Sequence, residues 1–218
     1  MKNFNSLAKN NKKWYTWYVM EIKNAKFIVS VASKDKILQD DLPEIAFVGR
    51  SNVGKSSIIN SLANVNGLAK TSSTPGRTRL INYFSMNNNT FKFVDLPGYG
   101  FAKASKQHKK LWSTLIEDYL VASKNLKLII LLVDIRHAPN EYDQLMQNYL
   151  FTQGIPCIVV ATKADKVAKS KIVNYKKVIA STLKVGLGNI YHYSAVNSYG
   201  KKELLDLMEH YLRLAPLN

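Results

Sequence analysis

Apolar residues along the chain fall into short runs, separated by longer segments in which they recur every three or four positions. The runs at residues 27–32, 45–48, 80–86, 91–94, 128–133, 155–161 and 190–193 have the length and composition of strands. The segments 55–63, 106–121, 141–152, 169–183 and 201–212 have helical spacing. Strands that alternate with helices of this length predict βαβ crossovers, hence an α/β fold of three layers around a mostly parallel central sheet. Runs 80–86 and 91–94 differ, because only Asn87, Asn88, Asn89 and Thr90 separate them. They read as a hairpin that gives the sheet one antiparallel edge strand. No repeat or low-complexity linker interrupts the pattern, so the expected organisation is an extension over residues 1–24 and a single domain over 25–218.

In such a sheet ligands sit beyond the carboxyl ends of the strands, and the loops there carry the chemistry. After 45–48 comes Gly49-Arg50-Ser51-Asn52-Val53-Gly54-Lys55-Ser56, a complete GxxxxGKS phosphate loop. It follows a strand and opens a helix, so backbone N–H groups and the positive helix end converge on phosphate oxygens. Lys55 reaches the β- and γ-phosphates and the Ser56 hydroxyl ligates Mg²⁺. The fold class is therefore that of a P-loop NTPase.

Thr162-Lys163-Ala164-Asp165 follows 155–161 and identifies the base. Guanine offers two donors on one edge, N1–H and the N2 amine, which the Asp165 carboxylate accepts in a fork; adenine has no such pair. Lys163 lays its methylene stem on the base plane. Tyr193-Ser194-Ala195 supplies a backbone N–H for the guanine O6. In Asp95-Leu96-Pro97-Gly98, Asp95 holds Mg²⁺ through water and the Gly98 N–H touches the γ-phosphate, so this loop distinguishes GTP from GDP. Thr71-Ser72-Ser73-Thr74-Pro75-Gly76-Arg77-Thr78 precedes it, with Arg79 and Leu80 completing the expected nucleotide contacts. Thr78 and Thr74 compete for the second hydroxyl ligand of Mg²⁺, and spacing alone does not choose between them. Singly, an Asp-x-Pro-Gly or a Thr-Lys-x-Asp is an ordinary turn; their order behind a phosphate loop gives them this meaning.

Charge adds a partner to this picture. The 218 residues carry 31 Lys+Arg against 15 Asp+Glu, a net +16. Such an excess suits a polyanion, either nucleic acid or an anionic membrane surface, although 26 of the 31 are Lys, a bias that an AT-rich genome also produces. The longest apolar run, 128–133, is far short of the roughly 20 residues of a membrane span, so no crossing is expected. The first twenty residues hold Lys2, Lys9, Lys12 and Lys13 and no acid, and no apolar core follows them. That pattern is read as a mobile extension of a cytoplasmic chain rather than a secretory signal. Cys157, alone in an apolar run, reads as a buried hydrophobe, and the four His show no ligand spacing.

With these elements in order, the sequence resembles the EngB family of ribosome-biogenesis GTPases, within the TRAFAC class of P-loop GTPases and its small G-domain fold. The resemblance runs from about residue 26 to the C-terminus and is carried by residues 42–57 (LPEIAFVGRSNVGKSS), 71–78 (TSSTPGRT), 95–103 (DLPGYGFAK) and 162–165 (TKAD). It implies a Mg²⁺-dependent, monomeric GTPase that binds GTP and GDP and serves assembly of the large ribosomal subunit, with a subunit precursor or its rRNA as partner. It also places the second magnesium hydroxyl at Thr78, which makes Lys55, Thr78 and Gly98 the catalytic candidates. Tyr99 stands where Ras-like enzymes carry the Gln that orients water, so slow intrinsic hydrolysis is expected. The missing charge then comes from a partner, from Arg77, or from K⁺, which potassium-activated relatives hold through an Asn at the position of Asn52; the alternative is that Asn52 only satisfies its own loop.

For RNA contact, Lys103, Lys106, Lys109 and Lys110 with His108 and Trp112 form an acid-free basic stretch after the nucleotide-sensing loop. Residues 166–184 form a second one, read as a solvated helix face. The competing function is a GTP-dependent switch in cell division or septation that touches no RNA. A lipid-anchored signalling GTPase fits poorly, because the chain ends Leu214-Ala215-Pro216-Leu217-Asn218 without a Cys.

Overall fold

The computed structural model describes residues 20–70, 80–99 and 106–214, with backbone only for 106–113. The strands are β1 (Ala25–Val31), β2 (Glu44–Gly49), β3 (Ile81–Met86), β4 (Phe91–Asp95), β5 (Leu126–Asp134), β6 (Cys157–Thr162) and β7 (Ile190–His192). They form one sheet in the order β1-β3-β4-β2-β5-β6-β7. The helices are α1 (Lys55–Ala63), α2 (Lys106–Ala122), α3 (Glu141–Thr152), α4 (Ile172–Leu183) and α5 (Lys201–Arg213).

From β4 through β2, β5 and β6 to β7 the pairing is parallel. Those strands need a covering layer on both faces, and their near-continuous apolar character provides for it. Ile45, Phe47, Leu128, Ile130 and Leu132 pack with Ile58, Ile59 and Leu62 of α1 and Leu204, Leu205 and Met208 of α5. Their neighbours Ala46, Val48, Ile129, Leu131 and Val133 face the other way, toward Leu115 and Ile116 of α2, Leu150 of α3 and Ile179 of α4. Each fully buried side chain of this size contributes about 1.5–3 kcal/mol, so the two-sided burial holds these strands at the centre of the sheet. Met20 and Ile22 pack into the α1–α5 side, ahead of residue 25.

The hairpin forms as expected, with β3 antiparallel to β4 and Asn87, Asn88 and Asn89 at φ 48°, 56° and 64°, a region Asn tolerates better than most residues. The reversed strand β3 nevertheless lies one place inside the sheet, because β1 pairs antiparallel along its outer side. Tyr83 and Phe84 of β3 are buried, and a bare edge there would expose them together with an unpaired backbone. β6 begins at Cys157 rather than 155, and burial pushes the Cys157 thiol up to about 12, the value of an unreactive thiol. Residues 169–171 form a separate turn before α4. Among the described residues no helix is long and apolar enough to cross a membrane.

Candidate functional site

β2 ends at Gly49 and α1 starts at Lys55, so residues 50–54 make the whole turn between strand and helix. Gly54, at φ 105°, caps α1 in a conformation that strains any other residue. Gly54 has no side chain to cap α1, and among the described residues the first N–H groups of the helix are left directed out of the carboxyl end of the sheet. Lys55 forms an ion pair with Asp95, the last residue of β4, and both are nearly excluded from water. Ser56 follows on the same turn. A hydroxyl and a carboxylate are hard oxygen donors of the kind Mg²⁺ takes, so Ser56 and Asp95 fit that ion.

Beyond Asp95 the chain runs alongside the phosphate loop. Leu96 N–H donates to the Phe47 carbonyl at 3.0 Å, Tyr99 N–H to that of Gly49 at 3.2 Å, and Ser51 N–H to that of Tyr99 at 3.0 Å. A Cβ at Gly98 would lie 3.1 Å from Ser51 Oγ and 3.2 Å from the Ser51 backbone, so a larger residue would push the two loops apart. The Tyr99 side chain turns into the core, where its hydroxyl donates to Asp143 Oδ1 at 2.8 Å. Asp143 Oδ2 accepts the Asn140 N–H at 2.9 Å and closes the capping box of α3. Burial, then the neighbouring Asp143, holds the Tyr99 phenol well above its ordinary range. Tyr99 is thus a structural tie between the Asp95–Gly98 segment and α3.

The candidate base-reading end is built from β5, β6 and the turn after β7. Thr162 Oγ1 lies 2.6 Å from the Val53 carbonyl and 3.1 Å from that of Val133, tying the phosphate loop to the end of β6. Lys163, in the left-handed region at φ 59°, donates through Nζ to the Asn52 carbonyl at 2.9 Å. Asp165 Oδ1 accepts the Ser194 hydroxyl at 2.8 Å, while that hydroxyl oxygen accepts Val196 N–H at 3.2 Å. Burial raises the Asp165 carboxyl, but the Ser194 and Lys166 contacts outweigh it and hold the group below its usual range. Asp165 therefore stays ionised as an acceptor. Ala164 N–H donates to the Tyr193 carbonyl at 3.1 Å, which joins the Thr162–Asp165 and Tyr193–Ala195 segments.

Residues 44–163 match the family described as 50S ribosome-binding GTPase. A probable GTP-binding protein EngB of Clostridium kluyveri is 51% identical over 191 residues, covering 87% of this chain and 96% of that protein. Its counterpart in Pelotomaculum thermopropionicum is 46% identical over 197 residues, covering 90% and 99%. This chain belongs to the EngB family of GTP-binding proteins. Its fold matches a crystal structure of a probable GTP-binding protein EngB with a TM-score of 0.65 at 24% identity, over 78% of this chain and 98% of that one. It also matches Aquifex aeolicus Era bound to GDP and aluminium fluoride, with a TM-score of 0.61 at 23% identity, over 82% and 58%. The fold is that of a G-domain GTPase, and GTP hydrolysis is the activity that goes with it.

In this EngB-type chain the phosphate loop, Asp95–Gly98, Thr162–Asp165 and Tyr193–Ala195 all lie at the carboxyl ends of β2, β4, β6 and β7. Several of the expected contact residues face elsewhere with their side chains: Val53 and Leu96 are core residues, and the Tyr193 hydroxyl bonds Ser61 Oγ at 2.8 Å. Only their backbones can serve a nucleotide. Thr74, Gly76, Arg77, Thr78 and Arg79 lie outside the described residues, as does Lys103. Lys106, Lys109, Lys110, His108 and Trp112 lie on α2, in the part described by its backbone alone. Sequence reasoning missed Asp134 and Arg136. The available signal was an acid at the carboxyl end of a central strand, where β5 adjoins β2 at the switch point of the sheet.

Proposed function

We propose that the chain is a slow, Mg²⁺-dependent GTPase that acts as a nucleotide-controlled switch on the assembling large ribosomal subunit. The observation that carries this reading is the meeting of Lys55, Asp95, Gly98, Lys163 and Asp165 at one end of the sheet in a chain of net charge +16. Ser56, Asp95 and, by the family resemblance, Thr78 would hold Mg²⁺, which neutralises charge on the β- and γ-phosphates when bound. Lys55 leaves Asp95 for the phosphates, and Gly98 offers its N–H to the γ-phosphate. Gly98 directly precedes Tyr99, whose N–H and carbonyl bond Gly49 and Ser51 of the phosphate loop, so a demand on the Gly98 N–H bears on both segments.

With the Tyr99 phenol tied to Asp143, no side chain at that position activates water, and hydrolysis waits for added charge. Asn52 offers one route: it is exposed, and its carboxamide has no partner among the described residues. A K⁺ ion held there would place charge beside the phosphates. Turnover faster in K⁺ than in Na⁺ supports that route, and equal rates remove it. The ribosomal reading also rests on the description of the matched family and is tested by sedimentation. Association with large-subunit precursors that requires GTP and is lost after RNase treatment is expected. Association indifferent to both would favour the cell-division switch instead.

A further inference from the structure

Asp134 is the last residue of β5 and lies in register with Thr162 of β6, between the phosphate loop and the base-reading loop. Its carboxylate is held at four points. Oδ1 accepts the Arg136 N–H at 3.1 Å and Arg136 Nε at 2.9 Å, while Oδ2 takes Arg136 Nη2 at 2.7 Å and Lys163 Nζ at 2.9 Å. The Arg136 fork fixes the plane of the carboxylate, because a planar guanidinium binding two oxygens leaves it little rotation. Lys163 therefore meets a rigid abutment. Its ammonium is held from two sides, by Asp134 and by the Asn52 carbonyl.

We infer that Asp134, braced by Arg136, is a positioning residue that holds Lys163 extended as the platform for the guanine face. The inference rests on the reading of Lys163 as the residue under the base. A free lysine carries several rotatable bonds, and ordering it costs binding energy each time a ligand arrives. Clamping the ammonium beforehand removes that cost. The clamp also occupies the Lys163 charge, which otherwise could pair with Asp165, two residues on, and compete with guanine for that carboxylate. The platform lies under the base, so its contribution is the same for GTP and GDP.

A double-mutant cycle on the full chain tests this, with GDP and Mg²⁺-GTP titrated against the parent, Asp134→Asn, Lys163→Ala and the double variant, each checked for its melting transition. Asp134→Asn should weaken both nucleotides by the same factor, roughly tenfold, and the double variant should bind no more weakly than Lys163→Ala. A merely structural role for Asp134 predicts that the two losses multiply. Multiplying losses, or parental affinity in Asp134→Asn, would overturn the inference while leaving the platform reading intact. Unchanged affinity in Lys163→Ala would overturn the platform reading itself, and the inference with it. If Asp134→Asn does not fold, Arg136→Ala enters the same cycle, since it keeps the Asp134–Lys163 pair but releases the carboxylate from its brace.

Discussion

Lys55 and Asp95 are each other's partners in a site nearly closed to water, and removing one leaves the other as a buried, uncompensated charge. Breaking such a pair costs about 3–5 kcal/mol. Lys55→Ala should therefore lower stability by about 3 kcal/mol in urea unfolding as well as abolish tight GTP binding. Adding Asp95→Asn should recover part of the stability and none of the binding. Asp134 behaves differently. Burial pushes its carboxyl up, but Arg136 and Lys163 outweigh burial and hold it well below the ordinary 3.8. A carboxyl lowered in the folded state adds stability that is complete above its unfolded value and is lost as pH falls toward the folded one. The melting temperature of Asp134→Asn should accordingly fall less than that of the parent between pH 5 and pH 3; equal slopes would mean that this pair contributes nothing. At Asp165, replacement by Asn should exchange preference for GTP for preference for xanthosine triphosphate, whose C2 carbonyl needs a donor. Direct competition between the two nucleotides reads that exchange.

Among the elements, the strands and helices are legible because short unbroken apolar runs, as at 45–48 and 128–133, separate cleanly from the three-to-four-residue period of a segment such as 201–212. The place of β1 was not, since a run such as 27–32 states that it pairs without naming its neighbour. The loops after β2, β4 and β6 were readable from their residue types, whereas Asp134 was not, because its role needs three elements to meet. Tyr99 was recognised as a departure from Gln, but nothing local shows that its hydroxyl reaches Asp143, 44 positions on. The tie gives α3 a structural stake in the sensing loop. Tyr99→Phe should cost about 1–3 kcal/mol by leaving Asp143 short of a donor. It should change single-turnover GTP hydrolysis by no more than about twofold, the scatter of a residue outside the chemistry. A loss of a hundredfold would place the phenol at the phosphates and contradict the structure.

For the whole molecule, the charge excess acquires a geography. Lys55, Lys92 and Lys163 have acidic partners at 4 Å or closer. The α2 stretch follows in sequence the loop proposed to sense the γ-phosphate, and under that proposal a change in the loop can alter its presentation. Neutralising Lys106, Lys109 and Lys110 together should flatten the salt dependence of binding to large-subunit particles by about 2–3 in logarithmic slope, with GTP affinity unchanged. An unaltered slope would move the RNA contact elsewhere, and the α4 stretch would be next to test. All of this depends on the site being one for guanine nucleotides, and a titration of the purified chain with labelled GTP in Mg²⁺, competed by GDP and by ATP, tests that most directly. Displacement by GDP with ATP inert even in large excess is the predicted result. Displacement by ATP as effective as that by GDP, or no binding of GTP at all, would contradict the account.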